Sequence, residues 1–307
     1  MTFLRRCLAS CVLYLLMDQV QAFPAWRQSA LADPDGVVLV TSHRACWKET
    51  SENSLDGIAR CIADGIDIGE IDVRTTRDGA LVLMHDETVD RTTDGQGAVA
   101  ELSLDQIRRL RLRQRGGGAD TAMTARRVPT LQEALALARG RILLNLDVKA
   151  AQIPALVAAI METDTARDVL LNVDTDADPR LLAWVRSLGI AMQVLYFDNR
   201  AGADRAAQWQ ALPRLQPTSL QLIFRDPDVI GQARQAVQSE PVRIFVNTMA
   251  LDIASGHPMD LSGSYLDSEA IRHPEQVWGP LIERGASIIQ TDEPQRLLRW
   301  LRQQGWR

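Results

Sequence analysis

The sequence predicts an α/β fold, a (β/α)8 barrel that carries a short antiparallel hairpin strand followed by an insertion of loop and helix. Three observations predict it. Short β-branched runs alternate with longer amphipathic stretches, and no linker rich in Pro, Gly or Ser divides them, which is the pattern of one α/β domain. Nine such runs occur, one more than the barrel requires. One connection between neighbouring runs is too short for a parallel crossover.

The runs are GVVLVTSH (36–43), DIGEIDVRT (67–75), LVLMH (81–85), RILLNLDVK (141–149), VLLNVD (169–174), AMQVLYF (191–197), SLQLIF (219–224), RIFVNT (243–248) and SIIQTD (287–292). Only Thr76 to Ala80 separate the second from the third, so LVLMH must return antiparallel through the turn at Asp78-Gly79. The other eight build the barrel, each with room for a helix behind it, the last followed by PQRLLRWLRQ. SLDGIARCIADG and TLQEALALARG repeat apolar positions at helical spacing, open on a Ser or Thr suited to an N-cap, and end near Gly. The longest irregular segment, from about Glu87 to Val128, is predicted to hold a helix near SLDQIRRLRL and a glycine loop at Gly116 to Gly118, lying over the barrel mouth.

Composition narrows the function. At 46% hydrophobic residues the 307-residue chain can fill a large core. A net charge of -5 without basic clusters excludes a nucleic-acid surface, and a small-molecule substrate is expected. Arg5-Arg6 precedes the apolar run CLASCVLYLLM, too short to span a bilayer, and Val20-Gln21-Ala22 offers a cleavage site. Residues 1–22 therefore read as a cleaved secretory signal and residues 23–307 as the mature barrel domain, exported to the periplasm or beyond, with no stable membrane insertion after cleavage. LASC (8–11) looks like a lipoprotein box but precedes most of the apolar run, which argues against lipidation. Of four cysteines, Cys46 and Cys61 would remain, as a disulfide or as two thiols. The sequence carries no signal of oligomeric state.

Barrel enzymes place reactive groups at the carboxyl ends of strands. Here those ends read Ser42-His43-Arg44, Glu70-Ile71-Asp72, His85-Asp86 and Asp147-Val148-Lys149. Alternation along a strand puts Glu70 and Asp72 on one face, and Asp147 and Lys149 on one face. Either the acids are salt-bridged by Lys149 or Arg44, or Glu70, Asp72 and Asp147 surround one divalent cation; an oxygen-only set suits Ca²⁺ or Mg²⁺. Two of the four histidines, His43 and His85, stand at the same rim, which favours the cation and suggests an acid/base pair. Arg44 and Lys149 add positive charge for an anion with several oxygens. His257 and His273, each followed by Pro, read as surface residues. Residues alone thus point to a metal-assisted phosphoester hydrolase with a histidine acid/base pair.

In these motifs the chain resembles the glycerophosphodiester phosphodiesterase family. HRA (43–45) and SEN (51–53) correspond to its opening block, EIDVRTTRDGALVLMHD (70–86) and DRTTDGQG (90–97) to the next two, and VPTLQEAL (128–135), NLDVK (145–149) and IIQTDEP (288–294) follow in its order. The resemblance implies hydrolysis of glycerophosphodiesters to an alcohol and glycerol 3-phosphate with a divalent cation. It implies His43 and His85 as acid and base, Glu70, Asp72 and Asp147 as metal ligands, and Arg44 and Lys149 as phosphate contacts. Glu52 would orient His43 or touch the metal, and Phe245 and Asn247 would line the pocket where relatives present Trp and Asn. Ala45 stands for the family's usual Gly, Ser51 for Pro, and Asp147 for Glu, the last as in the related sphingomyelinase D-type phospholipases. A head-group phosphodiesterase of that type, and a barrel that binds without catalysis, are the alternatives.

Overall fold

The structure is a computed structural model that describes residues 26–199, 202 and 204–307; the predicted signal segment lies outside the described residues. Eleven strands are described: β1 (Leu39–Ser42), β2 (Ile68–Thr75), β3 (Leu81–Leu83), β4 (Arg111–Arg113), β5 (Met123–Arg127), β6 (Leu143–Ala150), β7 (Val169–Asp174), β8 (Ala191–Phe197), β9 (Ser219–Ile223), β10 (Arg243–Asn247) and β11 (Ile288–Thr291). Eight are parallel and run β1-β11-β10-β9-β8-β7-β6-β2, and β1 pairs with β2 to close the barrel. As the short connection requires, β3 returns antiparallel on the far end of β2, pairing Val73 with Leu83 and Thr75 with Leu81.

Helix boundaries follow local chemistry. Leu55–Asp64 starts on Ser54, whose Oγ accepts from the Gly57 N–H, and stops at Gly65 in the left-handed region. Leu131–Ala138 opens on a Thr130/Glu133 capping box. In the insertion, Ser103 and Gln106 form the same box, yet the helix lasts only Leu104–Ile107. The helix predicted near SLDQIRRLRL is thus present over its first turn only: Arg111, Leu112 and Arg113 are instead β4, paired antiparallel with β5, with Leu112 facing a small core of its own. Alternating exposure of Arg111 and burial of Leu112 satisfies a strand better than a helix face.

Outward-facing Ile71, Val73, Leu144, Leu146 and Leu171 pack beneath the helices in the main core. Inside the barrel, Leu39, Ile68, Leu143, Phe245 and Ile288 form the floor, sealed by Ala30 and Leu31 of the helix Trp26–Leu31. Arg243, fully buried, holds that segment down by donating to the carbonyls of Ala30 (2.7 Å), Val37 (3.1 Å) and Asp33 (2.5 Å). Among the described residues no helix is long and apolar enough to cross a membrane.

Cys46 and Cys61 are joined in a disulfide, their Cα atoms 5.7 Å apart. Both are buried, between the turn after β1 and the first barrel helix. The bridge closes a loop of 15 residues. Chain entropy then gives it about 3 kcal/mol. The Cys46→Ser/Cys61→Ser double variant should unfold in urea with its stability lowered by that order, and an unchanged midpoint would show that the bridge contributes nothing.

Candidate active site

The site begins with an unusual turn. Arg44, Ala45 and Cys46 take φ values of 44°, 53° and 44°, three successive left-handed non-glycine residues. Each such residue costs about 1–3 kcal/mol unless its surroundings fix it. Here they do. The Arg44 N–H donates to Glu70 Oε2 (2.8 Å), the Cys46 N–H to Ser42 Oγ (2.8 Å), and Cys46 is tied to Cys61. Gly57 lets the helix close on the turn, because a Cβ there would lie 2.1 Å from the Ala45 carbonyl oxygen.

Glu70, Asp72 and Asp147 offer carboxylate oxygens within 4.8 Å of one another. Asp72 and Asp147 are register partners on adjacent strands, and Glu70 lies two residues deeper on the same face. Asn53 fixes Asp72 from both sides, donating Nδ2 to Oδ2 (2.7 Å) and accepting the Asp72 N–H at Oδ1 (2.9 Å). Lys149 Nζ donates to Asp147 Oδ2 (2.7 Å) and lies 3.4 Å from Asp72 Oδ1.

The electrostatics of the three acids diverge. Burial, with the charges of Asp72 and Asp147, holds the Glu70 carboxyl well above its ordinary range. Burial pushes Asp72 the same way, but Lys149, His85 and Arg44 outweigh it and bring Asp72 down to about 2. Burial would depress Lys149, yet Asp72 and Asp147 keep it well above the usual lysine range. An oxygen-only cluster with one acid short of positive charge fits a hard divalent cation, whose ligand distances of about 2.0–2.6 Å match this spacing. The residues present could therefore hold a metal.

Each histidine is backed by a carboxylate. His43 Nδ1 lies 3.0 Å from Asp292 Oδ1, which also accepts from Trp47 Nε1 (2.7 Å). The Asp292 N–H donates to Asp267 Oδ2 (2.7 Å), and Asp267 Oδ1 accepts from Thr248 (2.6 Å) and Thr291 (2.7 Å). Burial raises Asp267 to about 7 against the hydrogen bond from Thr248, with the charge of Asp292 adding to the rise. His85 Nδ1 lies 2.8 Å from Asp86 Oδ1. Arg91 holds Asp86 through Nε (2.7 Å) and Nη2 (2.8 Å), and reaches Glu52 through Nη1 (2.8 Å) and Nη2 (2.7 Å) as well as the Gly116 carbonyl. With both Nδ1 atoms engaged by carboxylates, the Nε2 of each ring stands apart from those bonds.

The structure thus gathers His43, His85, Glu70, Asp72, Asp147 and Lys149 at the carboxyl ends of the strands. Four other residues expected at the site fall elsewhere. Arg44 is fully buried, its guanidinium facing Glu52 (3.1 Å), Asp72 (3.8 Å) and Asp252 (3.6 Å), so its charge is taken up by acids rather than left open to a phosphate. Glu52 touches neither His43 nor the acid cluster, because Arg44 and Arg91 occupy both its oxygens. Asn247 is buried inside the barrel, accepting from Gln221 Nε2 (3.2 Å). Phe245 lies on the barrel floor, away from the mouth. His257 and His273 are exposed, as expected. Asp86, Arg91 and Asp292 stand within the shared motifs EIDVRTTRDGALVLMHD, DRTTDGQG and IIQTDEP, which give them no role. Asp267 and Asp252 lie in the stretch between β10 and β11, where no periodicity marks them.

Comparison with known proteins agrees with this architecture. Residues 43–194 match the model of the glycerophosphoryl diester phosphodiesterase family, and residues 211–301 match a domain of unknown function. The glycerophosphodiester phosphodiesterase of Caldanaerobacter subterraneus subsp. tengcongensis is 34% identical over 141 residues, covering 44% of this chain and 57% of that protein. Glycerophosphodiester phosphodiesterase 1 of Rattus norvegicus is 35% identical over 137 residues, covering 42% and 39%. The matched stretch thus spans well under two thirds of either relative. Among solved structures, a glycerophosphoryl diester phosphodiesterase from Parabacteroides distasonis superposes with a TM-score of 0.68 at 20% identity, over 91% of each chain. An Oleispira antarctica phosphodiesterase in complex with its product sn-glycerol-3-phosphate gives 0.62 at 20% identity, over 87% of this chain and 97% of that one. With the ordered motifs, the closed barrel and the family match all falling on the same strand ends, this chain belongs to the glycerophosphoryl diester phosphodiesterase family.

Proposed function

We propose that this protein is an enzyme that hydrolyses glycerophosphodiesters to an alcohol and sn-glycerol 3-phosphate. In this reading Glu70, Asp72 and Asp147 hold one divalent cation, Ca²⁺ or Mg²⁺, and His43 and His85 are the acid/base pair. The observation that carries it is the convergence of three carboxylates with two carboxylate-backed histidines at one rim. When bound, the cation supplies charge neutralisation at the phosphoryl oxygens. Lys149, a quarter exposed, offers its charge to a phosphate oxygen. One histidine withdraws a proton at Nε2 from the attacking nucleophile, either water or a substrate hydroxyl whose cyclic phosphate water then opens, while the other protonates the departing alkoxide.

Product analysis by phosphorus NMR on a panel of glycerophosphodiesters and lysophospholipids tests this. Glycerol 3-phosphate together with the free alcohol is the expected result. Release of the head group as a phosphomonoester, or of product only from lysolipids, would overturn it.

The cation site carries its own prediction. Because the folded state raises Glu70, its stabilising contribution is present below the ordinary carboxyl range and is lost as pH rises through the raised value. The metal-free protein must also shed that proton on loading. Metal affinity by calorimetry should therefore rise with pH across that window, and the cation-induced rise in unfolding midpoint should grow with it. Activity should vanish on exhaustive chelation and return with Ca²⁺ or Mg²⁺; activity that survives chelation would contradict the three-carboxylate site.

The reading extends to location: an exported enzyme, periplasmic or secreted. The Cys46–Cys61 bridge supports it, since such bonds persist in oxidising compartments.

A further inference from the structure

We propose that Asp252 is a specificity-determining residue that accepts a hydrogen bond from a hydroxyl of the substrate's glycerol moiety. This rests on the reading of the reaction given above.

Asp252 lies in the irregular stretch between β10 and β11, outside every motif the chain shares with its family. The loop folds on itself there: Leu251 and Pro258 form an antiparallel bridge, the Asp252 N–H donates to the His257 carbonyl (2.8 Å), and the Gly256 N–H donates to the Asp252 carbonyl (2.7 Å). One carboxylate oxygen, Oδ1, accepts from both the N–H and the Oγ of Ser255, each at 2.7 Å. The side chain is thus oriented before any ligand arrives, with Oδ2 turned toward the site, 3.6 Å from Arg44 Nη2. That distance exceeds a hydrogen bond, so Oδ2 retains its capacity to accept one. The loop is also keyed to the glycine loop opposite, because a Cβ at Gly116 would meet Ile253 Cγ2 at 2.2 Å.

Two arguments fix the role. Arg44 already faces Glu52 at 3.1 Å and Asp72 at 3.8 Å, so a further acid is not needed to balance its charge. A carboxylate beside a phosphate site repels the phosphate unless it meets a donor, and the donors of a glycerophosphodiester near its phosphorus are the glycerol hydroxyls. With its side chain 26% exposed, Asp252 is open to that contact.

Calorimetric binding of sn-glycerol 3-phosphate and of methyl phosphate, with Ca²⁺ present, tests the assignment on the wild type, Asp252→Asn and Asp252→Ala. The wild type should prefer glycerol 3-phosphate by about tenfold, the scale of one charge-assisted hydrogen bond. Asp252→Ala should lose the preference while binding methyl phosphate at least as well. Asp252→Asn, which keeps the Ser255 turn and an accepting oxygen, should retain part of it. In kinetics the same Ala variant should raise KM for glycerophosphodiesters with kcat little changed, and leave hydrolysis of bis(p-nitrophenyl) phosphate unaffected. Absence of the preference in the wild type, or an equal change toward both monoesters in the variants, overturns the proposal. Preference without turnover of any glycerophosphodiester would sustain Asp252 as the glycerol contact and refute the proposed reaction.

Discussion

Removing either imidazole should stop the enzyme without unfolding it. His43→Ala and His85→Ala are each expected to lower kcat by about 10²–10⁴, the usual span for a positioned acid or base. Calcium or magnesium binding should persist in both, because neither ring belongs to the Glu70, Asp72 and Asp147 cluster. The pair can also be told apart from its supports. Asp292→Asn and Asp86→Asn leave the imidazoles in place and remove the charge behind them, so they should cost less than the histidine substitutions and shift the pH profile of kcat. Undiminished hydrolysis by either histidine variant would sink the acid/base assignment.

Arg91 is expected to carry the largest stability effect of any residue at the mouth. Among the described residues it is the one side chain that touches both the Asp86 behind His85 and the Glu52 that holds Arg44. Burial alone would depress it, yet the hydrogen bonds to Asp86 and Glu52 keep it above the ordinary arginine range, while the same contacts hold Asp86 far below the ordinary carboxylate range despite its burial. Arg91→Ala leaves two largely buried carboxylates facing one gap, and breaking a buried pair in that way costs about 3–5 kcal/mol. Urea unfolding should show the loss, and kcat should fall with it because Asp86 no longer holds His85. Arg91→Lys keeps the charge but not the fork, so it should recover only part of either quantity. A variant within experimental scatter of the wild type in both would mean that the network does not form.

Much of the architecture was legible because it depends on local chemistry. The eight barrel strands and the antiparallel return of β3 follow from period-two runs and from the five residues between β2 and β3. The acid cluster, Lys149 and the two histidines were legible for the same reason, as strand ends with known faces. What failed involved depth and partnership. Alternation correctly turns Phe245 into the barrel, but the stagger of strands sets its layer, and the register with Ile288 and Leu39 places it on the floor. The sequence points Arg44 at phosphate and Glu52 at His43 or the metal, whereas these two opposite charges, close in sequence, have each other, and Arg91 is 39 residues from Glu52. Asp252 belongs to a loop and Asp267 opens the four-residue helix Asp267–Ala270 behind Leu266, which makes no side-chain cap, so neither period nor cap gives either side chain a direction. The helix near SLDQIRRLRL forms but is cut short, because a good cap starts a helix and says nothing about how long it lasts.

The floor of the barrel has a consequence for how the chain is made. Its seal joins the first described helix to β10 and β11: Arg243 grips the Ala30 carbonyl across 213 residues. A ribosome must therefore finish most of the chain before the vessel can acquire a bottom, and contacts that distant close slowly. Under the export proposed above, that delay is useful. The first segment out cannot lock the chain, because what it locks onto has yet to follow it.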